Sequence, residues 1–177
     1  MPCLIKCVVR CVVRLIWEWR KMKTVKKRTL INKGNRNIRY WLLKTEPEDW
    51  SWNRQVKLGK KGAEWNGVRN FQAAKNLKSM RWGDKCFFYH TGKQKKIVGI
   101  VKVIKEHFKD KLDKTNKFVS IIVQAEDKLT KSVTLKEIKN NVFFNEMPLV
   151  KQSRLSVMKV DIKYWKKICK MGKMNTY

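Results

Sequence analysis

The feature that most constrains this chain is where its β-forming runs fall: Ile97 to Ile104 and Phe118 to Glu126 are dense in Val and Ile, and the helix-compatible segments lie before and after them. β-Branched side chains pack well on a pleated surface and lose rotamer freedom in a helix. Consecutive strands with helices inserted early and late make an α+β arrangement that suits a small mixed barrel. The pattern excludes the regular βαβ alternation of a dinucleotide-binding sheet. Gly92-Lys93 connects the strand Lys85 to Thr91 to the first run in hairpin fashion, and the charged stretch Lys109 to Lys117 between the runs reads as a mobile loop.

Around this body the boundaries are marked locally. Tyr40 to Lys44 is a short apolar strand that stops at Pro47, because proline removes a donor and pushes Glu46 into extended geometry. Glu48 and Asp49 then supply an acidic first turn to a short helix carrying Trp50, Trp52 and Val56. Asn70 caps a helix from Phe71 to Met80 with an apolar stripe of Phe71, Ala74, Leu77 and Met80. Thr134 caps Leu135 to Asn140, Leu155 to Val160 returns as a strand, and Asp161 opens the closing helix through Trp165 and Ile168.

The net charge of +29, from 43 basic against 14 acidic residues, draws such a chain towards nucleic acid or another anionic surface before any specific contact forms. Lysine is scattered over nearly every segment, so charge alone does not define a groove. Residues 1–39 form a basic leader and linker, read as disordered or not native. Lys6, Arg10 and Arg14 break its apolar residues into short runs, so neither a membrane span nor a secretory core is expected. A transit peptide, a surface-seeking helix, or translated upstream sequence ahead of Met22 all fit it, the last being favoured. Cysteine usage reads as a reducing compartment without a disulfide scaffold. Cys3, Cys7 and Cys11 have no neighbouring histidine to complete a metal site, and no metal or cofactor is expected.

Chemistry concentrates in the block Trp65-Asn66-Gly67-Val68-Arg69-Asn70. It sets side by side a flat aromatic wall, a glycine that lets backbone approach a ligand, a fork-shaped cation and an amide able to pair with adenine's edge. Trp65 is the expected stacking wall, with Gly67, Val68 and Asn70 around it; core packing of the indole and helix capping by Asn70 are the bland counterparts. Glu46 fits as acceptor for an exocyclic amine, or alternatively as a salt-bridge partner of Arg69 or Arg154. Arg69 and Arg154 are candidates for a nucleic-acid backbone, His90 is placed at the cleft rim with Tyr89 nearer the core, and Trp50 or Trp52 could be a second wall. Stacking a base contributes about 1–3 kcal/mol, whereas burying one methyl contributes about 0.8 kcal/mol. Stacking therefore holds a base, and the pocket's shape must read its modification.

Taken with Tyr40 to Pro47, Phe87-Phe88-Tyr89-His90 and Gln152-Ser153-Arg154-Leu155-Ser156-Val157, that block resembles the EVE domain family from about Tyr40 to Ile168. The resemblance implies a domain over 40–172 with a tail at 173–177, a PUA-like, partly closed β-barrel with flanking helices, and kinship with the YTH readers of methylated RNA. It implies DNA or RNA carrying a modified base as partner. The YTH likeness places base-edge contacts at Lys44 and Thr45. Two departures from the family pattern are Asn66 and Phe71; a third, Phe108 to Thr115, leaves that loop's conformation open.

Hydrolytic chemistry lacks its supports. Cys86 and His90 on one strand stand roughly 13 Å apart, too far for a dyad. Neither Gly59-Lys60 nor Gly92-Lys93 completes a phosphate loop. The expected function is a non-enzymatic, monomeric reader of a methylated nucleobase with no membrane attachment, cytoplasmic in a bacterium and nuclear or mitochondrial in a eukaryote. Its rivals are an enzyme acting on a base or small ligand, with Glu46 or His90 as acid-base group, and a protein-interaction module.

Overall fold

The two Val/Ile-rich runs become the longest strands, and both extend past the bounds their composition suggests. In the computed structural model, which describes residues 37–174, β4 (Lys96–Lys109) and β5 (Val119–Thr134) form a long antiparallel pair. The leader lies outside the described residues except for positions 37–39, as do residues 175–177 of the tail. The remaining strands are β1 (Tyr40–Thr45), β2 (Ala63–Trp65), β3 (Lys85–His90) and β6 (Val157–Val160). They join one six-stranded sheet in the order β2-β5-β4-β3-β1-β6, with β1 and β3 parallel and every other pairing antiparallel.

The α+β class is as expected, but the sheet is not closed into a barrel. Among the described residues no ladder joins β2 to β6, which are its two edges. Register shifts recur along β4 against β5 and once between β3 and β4 at Phe88/Tyr89. Such bulges raise the local twist and re-aim side chains.

The helices are α1 (Trp52–Lys57), α2 (Phe71–Ser79), α3 (Leu135–Lys139), α4 (Pro148–Lys151) and α5 (Ile162–Met171). Asn70 caps α2 through its side-chain oxygen, which accepts from Ala73 N at 3.0 Å. Thr134 and Glu137 form a reciprocal capping box on α3. Two expectations fail here. α1 starts at Trp52 with Ser51 as its cap, so Glu48, Asp49 and Trp50 precede the helix; the Arg54 side chain instead donates to the carbonyls of Glu48 and Asp49. Phe71 is 69 % exposed, and the buried face of α2 is Ala73, Ala74 and Leu77, because its first residue is turned away from the sheet towards Phe118.

Aromatic pairs organise the core on both faces of β3. Trp165 stacks on Phe87 with centroids 4.0 Å apart, fastening α5 to one face. On the other, Phe88 takes edge contacts from Trp52 at 5.4 Å and Trp65 at 5.7 Å. Each such pair adds about 0.5–1.5 kcal/mol beyond the area it buries. Gly99 makes the Trp52 position possible, since an added Cβ would overlap the indole.

Candidate functional site

A cleft of about 540 Å³ opens where β1 ends and the chain leaves β2. That is within the roughly 300–1,000 Å³ of small-ligand sites. Lys44 and Thr45 reach it from β1, Trp65 from β2, and Gly67, Val68, Arg69 and Asn70 from the loop that leads into α2. With Trp50, eight of the candidate site residues singled out from sequence therefore meet around one space.

Their exposures differ in a way the sequence does not reveal. Trp65 exposes only 7 % of its surface, being packed edge-on against Phe88. Trp50, half-buried in the connection before α1, is the more accessible indole of the cleft, and its Nε1 donates to Gln55 Oε1 at 2.9 Å. Gln55 is itself buried and donates to Val123 O, so the Trp50 ring is pinned at its edge to β5. Trp52, the other candidate wall, is core. Asn70 lines the cleft, yet its side-chain oxygen is spent on the α2 cap. Sequence reasoning passed over Asp49, Glu64 and Ser156, which also line the cleft. Glu64 Oε1 is buried without a hydrogen-bond partner among the described residues. Ser156 falls in a quoted motif block without being assigned a role, and nothing marked Asp49 or Glu64 as cleft residues; the fold brings all three to the cleft.

Three expected site residues lie elsewhere. Glu46 does not enter the cleft: its carboxylate accepts from Thr91 Oγ1 and fills the space over Gly92. It pairs with neither Arg69 nor Arg154. His90 is not at a rim. It is 5 % exposed, its Nε2 accepts from Trp52 N at 3.1 Å, and its Nδ1 lies 2.8 Å from Gln94 Oε1, so both ring nitrogens are engaged in holding α1 and the β3–β4 turn. Burial lowers its pKa, opposed by the Gln94 hydrogen bond and aided by Lys96. Arg154 is exposed and does not line the cleft.

The loop carrying Gly67 is held from outside by the stretch expected to be mobile. Asp110 and Asp113 are buried rather than solvated, because each carboxylate serves as acceptor for the backbone that wraps it. Asp110 Oδ2 accepts from Gly67 N at 3.1 Å and Arg69 NH1 at 2.6 Å, and Oδ1 accepts from Leu112 N. Burial alone would raise the Asp110 pKa, but the hydrogen bonds from Arg69, Leu112 and Gly67 bring it below the usual carboxylate value. Asp113 is held well below the usual carboxylate range by the Thr115 hydroxyl and by the backbone N–H groups of Phe118, Thr115 and Lys117. Arg69, over the Phe118 ring at 5.4 Å, thus has part of its charge committed within the protein.

Neither a histidine nor a cysteine lines the cleft among the described residues. Cys86 is fully buried, and burial followed by the charges of Asp84 and Glu126 pushes its thiol well above the usual range. Lys44 is the perturbed group of the cleft, its pKa lowered by burial to about 8. No cluster of metal-ligating side chains occurs among the described residues, and no helix among them is long and apolar enough to cross a membrane.

Comparison with known proteins places this geometry. Mouse thymocyte nuclear protein 1 is 39 % identical over 93 residues, which are 46 % of this chain and 41 % of that protein, so the match spans less than half of the relative's length. The solved structure of a Rhodopseudomonas palustris protein matches with a TM-score of 0.75 and 42 % identity, covering 79 % of this chain and 97 % of its own. Human thymocyte nuclear protein 1, solved with DNA containing 5-methylcytosine, shares the fold at a TM-score of 0.72 and 24 % identity, covering 77 % and 99 %. The EVE domain model matches residues 39–171, and the chain belongs to the EVE domain family.

Proposed function

We propose that this chain is a non-enzymatic reader that holds a methylated nucleobase of DNA or RNA in the cleft, with Trp50 and Trp65 as aromatic walls and Lys44 and Thr45 at the base edge. The observation that carries the reading is the cleft itself. It has base-sized volume, one accessible indole fixed through Trp50 Nε1, and an open approach over Gly67, where nothing lies within 4 Å of an added Cβ. Gly67 has φ 73, so the loop can take this path only with a residue that tolerates the left-handed region. The 5-methylcytosine DNA bound by the human protein supports the choice of ligand class, since the two share this fold. Asn70 and Val68 shape the mouth, and Arg69 offers what remains of its charge to the nucleic-acid backbone.

The state of the two candidate acid-base groups favours a reader over an enzyme. His90 has both nitrogens engaged, and the Glu46 carboxylate is held by Thr91 outside the cleft. The test is fluorescence anisotropy with two single-stranded oligonucleotides that differ only by one 5-methyl group on cytosine. The wild-type chain should prefer the methylated strand, and Trp50→Ala should lose that preference while still melting cooperatively. Equal wild-type affinity for both strands would remove 5-methylcytosine from the reading. Mass spectrometry after prolonged incubation should return the methylated strand unaltered; a changed mass would make the protein an enzyme.

A further inference from the structure

A second cavity, of about 280 Å³, shares Lys44 with the cleft. Neighbouring strand residues point to opposite sides of a sheet. Trp65 packs on Phe88, whereas Lys44 Nζ sits 5.8 Å from the Tyr89 ring centroid. The cleft and this chamber therefore belong to opposite faces of β3, and the end of β1 connects them. The chamber is lined by Lys95 from the β3–β4 turn and Lys139 from α3, together with Lys44, Thr91, Tyr89 and Ser153. Among the described residues no carboxylate lines it.

Its lysines are not ion-paired, although the Glu46 carboxylate stands at the chamber's edge on Thr91 and Gly92. Among the described residues neither Lys44, Lys95 nor Lys139 forms an ion pair; Lys44 Nζ donates only to the Ser153 carbonyl, at 2.8 Å. Three ammonium groups around one concavity repel one another, and a partly buried one also loses hydration, so the arrangement is unfavourable without an anion. Burial alone lowers the Lys44 pKa to about 8, so lost hydration is felt at this ammonium. Tyr89, with its hydroxyl raised to about 12 by burial, stays neutral and adds no opposing charge. Lys95 also sits at φ 42, a left-handed conformation uncommon for a non-glycine residue that recurs at ligand-holding positions.

We infer that this chamber is a phosphate site, built by Lys44, Lys95 and Lys139, which takes the phosphodiester adjacent to the base held in the cleft. The inference rests on the base-reader proposal for the identity of the neighbouring nucleotide. Lys44 then has two roles at one position, facing the base on one side and the backbone on the other. The shared ligand chemistry is a phosphate oxygen, and free inorganic phosphate would supply it as well.

The experiment compares the wild type with a Lys95→Gln/Lys139→Gln double variant and with a Lys166→Gln/Lys167→Gln control, in which two exposed lysines of α5 are neutralised instead. Anisotropy with the methylated oligonucleotide is run across a salt series, and calorimetry is run with 5-methyl-2′-deoxycytidine, which has no phosphate. The chamber variant should bind the oligonucleotide several-fold more weakly than the control. Its salt slope should be flatter by about 0.7 for each phosphate of the single strand that is no longer neutralised, while nucleoside affinity stays at the wild-type value. Equal losses in both double variants would overturn the site, because the lysines would then act only through net charge. A chamber that shows chemical-shift changes with inorganic phosphate, yet whose loss leaves oligonucleotide binding at the control level, would overturn the nucleic-acid assignment in favour of a free anion. If the wild type binds no nucleoside but the chamber variant still loses oligonucleotide affinity beyond the control, the base reading falls and the phosphate site stands.

Discussion

Gly67 and Gly92 sit in two turns that look alike in sequence, each a left-handed glycine amid polar residues, with φ 73 and φ 58. Their surroundings are opposite. Space over Gly67 is empty, whereas the space over Gly92 is filled by the Glu46 carboxylate, tied down by Thr91. One turn is open to a guest and the other is already occupied by the protein's own side chain. The distinction carries through their neighbours: the residues around Gly67 line the cleft, while His90, just before Gly92, is consumed in bracing α1.

The largest expected effect separates bracing from binding. His90→Ala leaves the buried Trp52 N–H without its acceptor and opens a hole beneath Phe88, so it should cost about 2–4 kcal/mol of stability. Urea denaturation reads this directly. An unchanged midpoint would return His90 to the residues available for a site.

Trp50→Ala should do the reverse, losing about 1–3 kcal/mol of binding to a methylated oligonucleotide, roughly 5- to 150-fold, if its ring stacks on the base. Its stability should fall less than that of His90→Ala, because Trp50 is only half-buried. A variant that binds normally would shift the stacking role to Trp65, whose exposure of 7 % then has to increase on binding.

Protonation tests the bracing role without a mutation. Burial sets the His90 pKa below 6.5, so as pH falls past that value the unfolded chain takes up the proton first. The contribution of neutral His90 is complete above about pH 6.5 and declines below it, by at most about 1.4 kcal/mol per pH unit. The wild-type stability profile should therefore be steeper just below about pH 6.5 than that of His90→Ala. Parallel profiles would mean that the imidazole carries no such penalty.

What could be read from sequence was local. Asn70 and Thr134 cap their helices because a cap depends on the next three residues alone, and both are found as expected. The long strands were legible as Val/Ile runs, though not their ends, since pairing with a neighbour extended β5 through Lys128 and Lys131. β2 has three residues and no period to detect; pairing to Ile121, Ile122 and Val123 makes it a strand. The loop from Lys109 to Lys117 misled because its lysines suggest solvation while its two aspartates face inward as acceptors for Gly67, Arg69 and nearby backbone. The Trp65 block was found because its residues are contiguous. Glu46 and His90 were misplaced because the face of a strand end is decided by partners distant in sequence.

Glu46→Gln gives the smallest expected effect and the cleanest check on the two glycine turns. If Glu46 read the base, losing its charge would reduce affinity for a methylated oligonucleotide by about tenfold or more, since charge-assisted hydrogen bonds contribute roughly 1.5–3 kcal/mol. In the structure its carboxylate is directed to Thr91 and away from the cleft, and a glutamine oxygen can accept the same hydroxyl hydrogen. Affinity should therefore stay within about twofold, with any change a slight gain from removing one negative charge near a polyanion. A tenfold loss would mean that Glu46 swings from Gly92 towards the cleft on binding, and that the occupied turn is the closed state of an open one.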